Sequence, residues 1–129
     1  MTEDRARLGA LPTTYPRIFA DGPLTWGFEH GDGWSELVAA LCANLNEILE
    51  SEPGASMGVK QVKEKFGTLR FYYRLNGAND KVAKRVRHAV DLAEKASGCI
   101  CERCGCLAKL RAEAGWWSTL CPSCRTDST

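Results

Sequence analysis

Four cysteines near the C-terminus are the residues of this chain best suited to chemistry. They form two Cys-x-x-Cys pairs, Cys101 with Cys104 and Cys121 with Cys124, and sixteen residues separate the pairs. Two thiols with two residues between them can reach one ion from a tight turn, and two such pairs at this spacing are typical of a zinc site. Because four thiolates complete a tetrahedral shell, no position remains for a catalytic water. The spacing therefore predicts one structural Zn²⁺ and no catalytic residue.

Other interpretations of the cysteines stay open. The four thiols could be incidental, or they could form a redox dithiol, although two separated pairs differ from the single pair of a thioredoxin-like site. Cys99 and Cys106 flank the first pair, and we interpret them as spare thiols that could replace a ligand. Cys42 falls on the apolar stripe of a predicted helix, where a cysteine packs as a small hydrophobic residue.

The composition is that of an ordinary globular protein. Of 129 residues, 44% are hydrophobic and 26% are charged, which suits one domain with a small satellite module. The chain starts without the apolar run of a signal peptide, and no stretch approaches the ~20 apolar residues of a membrane span. Six of the seven cysteines lie between 99 and 124, which favours a metal in a reducing compartment over disulfides. We therefore predict a cytoplasmic protein with no membrane partner and no small-molecule substrate.

Charge is spread unevenly along the chain. Residues 1–54 carry three basic and nine acidic side chains, which gives −6, and residues 55–77 carry five and one, which gives +4. The remaining segments, 78–98 and 99–129, add +2 and +1, for a net charge of +1. Four thiolates and one Zn²⁺ together carry −2, so the metal-bound protein would have a net charge of −1. The total charge therefore weakens the case for a generally basic nucleic-acid binder.

Two amphipathic helices are expected to position the cysteine module. Residues 34–51 place apolar side chains at steps of three and four, and Asp32 just before them could cap the first turn. Residues 79–97 repeat this pattern with smaller apolar residues, Asn79 or Asp80 as the cap and Gly98 as the end. The chain before the first helix reads as a frayed terminus over 1–10 and, over 11–33, as ordered loop containing a short edge strand.

A β-hairpin is expected between the helices, at residues 57–77. Its second arm alternates between apolar and polar residues, and Gly67 supplies a turn position that favours positive φ. The predicted fold is therefore α+β: two amphipathic helices packed on a β-hairpin, followed by a C-terminal four-cysteine zinc ribbon. We divide it into an α+β body over 1–98 and a zinc-ribbon module over 99–129 that packs on the body.

The polar face of the hairpin and the outer face of the second helix carry a basic surface. Basic residues interleaved with an aromatic residue suit phosphate contact and base stacking. The candidate binding residues for nucleic acid or a partner are Lys63, Lys65, Arg70, Tyr72, Arg74, Lys84, Arg85 and Arg87. A solvated face balanced by the acidic N-terminal half is the competing interpretation.

Two smaller features are candidates for function. Glu29, His30 and Asp32 could serve acid–base chemistry or a second metal, although a capping and turn-forming loop explains them as well. Trp116 and Trp117 are adjacent in a predicted strand, so we expect one to pack on the body and the other to anchor a partner.

Three sequence segments give the chain a family resemblance. The stretches GFEHGDGW, QVKEKFGTLRFYY and GWWSTLC, the last within the two-pair ribbon, resemble small uncharacterised proteins encoded by phages and prophages. The likeness spans residues 26–124, and it implies a phage accessory protein with a zinc ribbon.

The sequence and the resemblance together favour a non-catalytic binding protein. We predict that it binds a host protein or a protein–nucleic-acid complex, with inhibition of host defence or transcription as one role. The alternative is a protein that binds nucleic acid directly through the basic hairpin and second helix.

Overall fold

A computed structural model of the chain describes residues 2–126, over which the fold is mixed α+β with four helices and two small sheets. Met1 and residues 127–129, which belong to the predicted frayed terminus and the predicted module, lie outside the described residues. In chain order the elements are α1 (Glu3–Thr14), β1 (Phe28–Glu29), α2 (Ser35–Glu50), β2 (Ser56–Lys65), β3 (Thr68–Asn76), α3 (Asp80–Ser97), β4 (Lys109–Glu113), β5 (Trp116–Leu120) and α4 (Pro122–Thr126).

The larger sheet has the strand order β1-β2-β3. β1 pairs with β2 in parallel, and β2 pairs with β3 as an antiparallel hairpin whose register shifts between Val59 and Gln61. The predicted alternation is present in β3, since Leu69 and Phe71 are buried whereas Tyr72 is exposed. β4 and β5 form a separate two-stranded antiparallel sheet.

One hydrophobic core joins α1, α2 and α3 to the inner face of the larger sheet. Trp34 and Leu45 from the α2 region and Val86 from α3 are fully buried in it. α3 also covers the edge of β3: Ser97 Oγ accepts the Leu69 N–H at 2.8 Å, and a Glu94 carboxylate oxygen accepts the Phe71 N–H at 2.9 Å. Side chains of α3 therefore satisfy edge donors that would otherwise be free to pair with another strand.

The N-terminal segment differs from the prediction. Residues 3–14 are helical rather than frayed, with Thr2 capping α1 by accepting the Arg5 N–H at 3.0 Å. Only Leu8 and Leu11 of α1 are buried, so the apolar pattern is too sparse to reveal the helix in the sequence. Leu8 and Leu11 pack in the core, and Arg5 is paired with Asp32 in the loop before α2.

Of the two predicted helix caps, the cap of α3 is present and the cap of α2 is absent. Asn79 caps α3 by accepting the Val82 N–H at 2.9 Å, as expected. The prediction that Asp32 caps the following helix is wrong, because α2 is preceded by a 3-10 turn over Asp32–Trp34 with no side-chain cap. The Asp32 carboxylate instead accepts hydrogen bonds from Arg5 Nε at 2.6 Å and Thr2 Oγ1 at 3.0 Å. It ties α1 to the loop before α2.

Candidate metal centre

The four predicted ligands come together in the structure. The Sγ atoms of Cys101, Cys104, Cys121 and Cys124 all lie within 4.8 Å of one another, and those of Cys104 and Cys121 are 3.6 Å apart. Four sulfurs bound tetrahedrally at about 2.3 Å from one ion are separated by about 3.8 Å. All four are free thiols, and 3.6 Å is far longer than the ~2.05 Å of a disulfide. The cluster therefore has the size of a four-coordinate metal site.

The backbone around the first pair is folded as a tight turn. The Gly105 N–H donates to the Cys101 carbonyl at 2.9 Å, and Gly105 adopts a positive φ of 84°. The Cys104 N–H points at the Cys101 sulfur at 3.5 Å, and the Cys101 N–H donates to the Cys106 carbonyl at 2.7 Å. This turn presents both sulfurs to the same point, which explains why two residues separate them.

The thiols of the cluster differ in acidity. Although burial raises the pKa of Cys101, N–H groups at Cys121, Cys104 and Arg103 outweigh it and lower that pKa to about 6. Hydrogen bonding with Cys121, burial and the other cluster sulfurs raise the pKa of Cys124 to about 12. A cation bound at the cluster would favour the thiolate form of its ligands.

The other cysteines lie outside this cluster. Among the described residues, only the four predicted ligands come close enough to share an ion. Cys99 and Cys106 are exposed, and Cys42 is fully buried in α2, where burial raises its pKa to about 12. A thiol of that pKa is protonated near neutral pH, which agrees with a packing role for Cys42.

The loop before α2 holds the first cysteine turn. The Gly33 N–H donates to the Glu102 carbonyl at 2.7 Å, and the Gly31 N–H donates to a Glu102 carboxylate oxygen at 2.9 Å. The Trp34 indole N–H donates to the Ile100 carbonyl at 2.8 Å. A Cβ at Gly33 would collide with the Cys101 carbonyl oxygen, so only glycine permits this approach.

The turn between β2 and β3 makes a second contact with the cysteine module. Thr119 of β5 is fully buried, and its hydroxyl donates to the Gly67 carbonyl at 2.7 Å. A Cβ at Gly67 would lie 3.0 Å from the Ser118 nitrogen and would collide with the Leu110 side chain. The sequence segments GDGW and KFGT therefore form the surface on which the module packs. Sequence reasoning missed this role, although the glycines in both segments were a usable signal.

Glu29, His30 and Asp32 do not converge on one site. Glu29 is exposed and accepts a hydrogen bond from Gln61 at 2.9 Å, whereas Asp32 is paired with Arg5. His30 is buried and its Nδ1 donates to the Gly31 carbonyl at 2.8 Å, which leaves Nε2 buried without a hydrogen-bond partner. Burial also lowers the pKa of His30. The loop therefore matches the turn-forming interpretation better than an acid–base site.

The predicted basic surface is divided between two faces. The strand residues Lys63, Lys65, Arg70, Tyr72 and Arg74 lie on the face of the hairpin opposite to the core, as the register shows. The helix residues Lys84, Arg85 and Arg87 are exposed on α3, which packs on the core side of the sheet. Arg70 of the strand surface lines a hollow with Asp91 and Lys95 of α3. That the helix residues extend the strand surface stays a prediction.

One acidic side chain, Asp21, neutralises part of the strand surface. Asp21 binds both Lys60 at 2.7 Å and Arg74 at 2.9 Å. The Lys65 ammonium lies 5.6 Å from the centre of the Phe66 ring, and Arg70 Nε is buried without a hydrogen-bond partner. Lys63, Lys65 and Arg70 are therefore the cations of this face with no ion pair among the described residues.

Comparison with known proteins gives no match: no family model fits the chain, and neither a curated protein nor a solved structure is similar enough to count. The resemblance to phage proteins and the roles that it implies therefore stay predictions. None of the helices in the described part of the chain has the length and apolar character that crossing a membrane requires.

Proposed function

We propose that this chain is a non-catalytic protein in which one structural Zn²⁺ holds a zinc ribbon against a helix-and-hairpin body, and that the ribbon binds another protein. Four thiolates saturate the ion, so its role is to fold the segment that carries β4 and β5. The partner that fits the phage resemblance is a host protein or protein–nucleic-acid complex, with inhibition of host defence or transcription as the consequence.

The exposure of apolar side chains on the ribbon carries this proposal. In residues 2–126, four of the eight large exposed hydrophobic side chains lie between 107 and 117. Trp116 is 78% exposed and Trp117 is 46% exposed, so neither indole is buried. The sequence had predicted that one of them packs on the body. Exposed tryptophans clustered on one element are typical of protein-binding surfaces, because burying an indole on a partner contributes much of the binding energy.

Affinity capture tests the proposal. Zinc-loaded tagged protein is incubated with host lysate, with and without nuclease, and the co-purifying proteins are identified. We expect a protein partner that survives nuclease treatment and is lost when a chelator removes the metal. Recovery of nucleic acid alone, or of nothing, would contradict a protein-binding role.

Direct nucleic-acid binding is a second candidate, favoured by the outer face of the hairpin. Lys63, Lys65, Arg70 and Tyr72 share that face, which lies opposite to the core side of the hairpin. Cations beside an exposed aromatic ring suit the backbone and bases of a single strand.

A matched pair of variants tests this second candidate. Lys65→Ser with Tyr72→Ala removes a cation and a stacking ring from the sheet face, whereas Lys84→Ser removes an exposed cation from α3. If the sheet face binds single-stranded DNA, the double variant should weaken binding about tenfold or more and Lys84→Ser by less than about twofold. Electrophoretic mobility shifts at two salt concentrations measure this, and affinity that does not fall with salt would exclude phosphate-led binding.

A further inference from the structure

A groove runs along the seam between the cysteine module and the body, with a volume of about 600 Å³. We call it the seam groove. Its walls come from Gly31 and Asp32 before α2, from Glu64 at the end of β2, from the first cysteine turn, and from β4 and β5. Because the module supplies eight of the eleven lining residues, the groove exists only while the module is folded.

Two adjacent residues of β5, Trp116 and Trp117, contribute to the wall of the seam groove, and both are exposed. Because successive side chains of a strand point to opposite faces, their indoles project from opposite faces of the β4–β5 sheet. An indole face attracts cations, more strongly than the rings of tyrosine or phenylalanine do. Trp26 is 77% exposed and Trp116 is 78% exposed, but Trp26 lies outside the groove. The two tryptophans differ in surroundings rather than in exposure.

The charges around the seam groove favour a cationic ligand. Four carboxylates and two guanidiniums line it: Asp32, Glu64, Glu102, Glu113, Arg103 and Arg125. Arg5 beside the groove is paired with Asp32 at 2.6 Å, so the local net charge is −1. Arg125 is already paired with Glu113 at 3.3 Å. Glu102 and Arg103 lie between the ligands Cys101 and Cys104, so a zinc tetrathiolate would place a further −2 beside the groove. This field repels phosphates and attracts ammonium or guanidinium groups.

We propose that the seam groove binds a lysine or arginine side chain from an extended basic segment of a protein partner. The cation lies against the indole of Trp116 or Trp117, and the carboxylates at the opposite wall hold it electrostatically. This proposal rests on the proposed function, because it names the chemistry that the protein partner presents to the ribbon.

Peptide binding by the zinc-loaded full chain tests the groove directly. The probe is a fluorescently labelled nine-residue peptide of alternating lysine and alanine, and binding is followed by fluorescence anisotropy. Loss of a cation–indole contact at an exposed site corresponds to about a two- to fivefold change in affinity. We expect Trp116→Ala to weaken binding about two- to fivefold, whereas the control Trp26→Ala, whose side chain is similarly exposed, leaves it unchanged.

A second pair of variants tests whether the carboxylates of the seam groove attract the peptide. Glu113→Gln removes a carboxylate from the groove, and Glu47→Gln removes an exposed carboxylate from α2. Only Glu113→Gln should weaken peptide binding, by several-fold, and it should reduce the salt dependence. Chelation of the metal should abolish binding by the wild-type chain.

Three results would contradict cation binding in the seam groove. The first is that Trp26→Ala and Trp116→Ala weaken binding of the lysine peptide equally, and the second is that a peptide of alternating glutamate and alanine binds as tightly. The third is that a ten-residue oligothymidylate binds more tightly than the lysine peptide and that Trp116→Ala abolishes this binding. Self-association that Trp116→Ala abolishes in sedimentation would assign the tryptophans to a homodimer instead.

The capture experiment separates this proposal from the proposed function. If the wild-type chain and Trp116→Ala recover the same partner equally well, the proposal that the seam groove binds the partner is wrong, whereas the proposed protein-binding function is retained. If no variant recovers a protein partner but the lysine peptide still binds with the expected tryptophan dependence, the groove stands as a cation site and the proposed function fails.

Discussion

Replacing Cys121 with serine is expected to release the metal and unfold the chain beyond residue 98. A segment of roughly 25 residues buries too little surface to fold without a metal. Structural zinc contributes about 10–16 kcal/mol to finger peptides, which matches or exceeds the ~5–15 kcal/mol that stabilises a whole domain. Metal analysis should give one zinc per wild-type chain and nearly none for Cys121→Ser. Limited proteolysis should cut the variant rapidly after residue 98 while α2, β2, β3 and α3 stay protected.

Cys106→Ser is the matched control, because Cys106 is an exposed thiol near the cluster but not part of it. It should keep one zinc per chain and the protease resistance of the wild type. Loss of zinc from Cys106→Ser, or a wild-type stoichiometry of zero or two, would show that the ligand assignment is wrong.

Gly33→Ala should separate the module from the body without removing a metal ligand. The new methyl would lie 2.6 Å from the Gly105 nitrogen and would collide with the Cys101 carbonyl. Both neighbours are backbone, so neither can rotate away as a flexible side chain would. Overpacking of this kind costs about 1–3 kcal/mol, and loss of the 2.7 Å hydrogen bond from Gly33 to Glu102 adds about 1 kcal/mol. We expect the free energy of unfolding of zinc-loaded protein to fall by about 3 kcal/mol.

Chemical denaturation combined with amide hydrogen exchange at residue 33 measures this effect. Gly54→Ala is the control, since a Cβ at Gly54 meets nothing within 4 Å. It should change stability by less than about 0.5 kcal/mol. If Gly33→Ala is as stable as Gly54→Ala and keeps its slow exchange at residue 33, the loop before α2 does not hold the module.

Local sequence patterns were sufficient to predict the helices and strands whose apolar residues are regularly spaced. The periodicity of 34–51 and 79–97 predicted α2 and α3, because long amphipathic helices repeat their buried residues every three or four positions. The alternation in β3 likewise predicted the hairpin. Helix α1 was missed, because a helix held by two buried leucines and an arginine–aspartate contact leaves little periodic signal.

By itself, the sequence determined the α+β class and the four residues that could share an ion, since element type and turn geometry depend on neighbours within a few positions. Only the tertiary structure decided that the loop at Gly31–Gly33 and the turn at Gly67 hold the cysteine module, and that β3 and α3 place their cations on different faces. It also created the groove between Glu64 and Trp116. Such contacts join residues about 50 to 70 positions apart, and no local periodicity records which distant surfaces will meet.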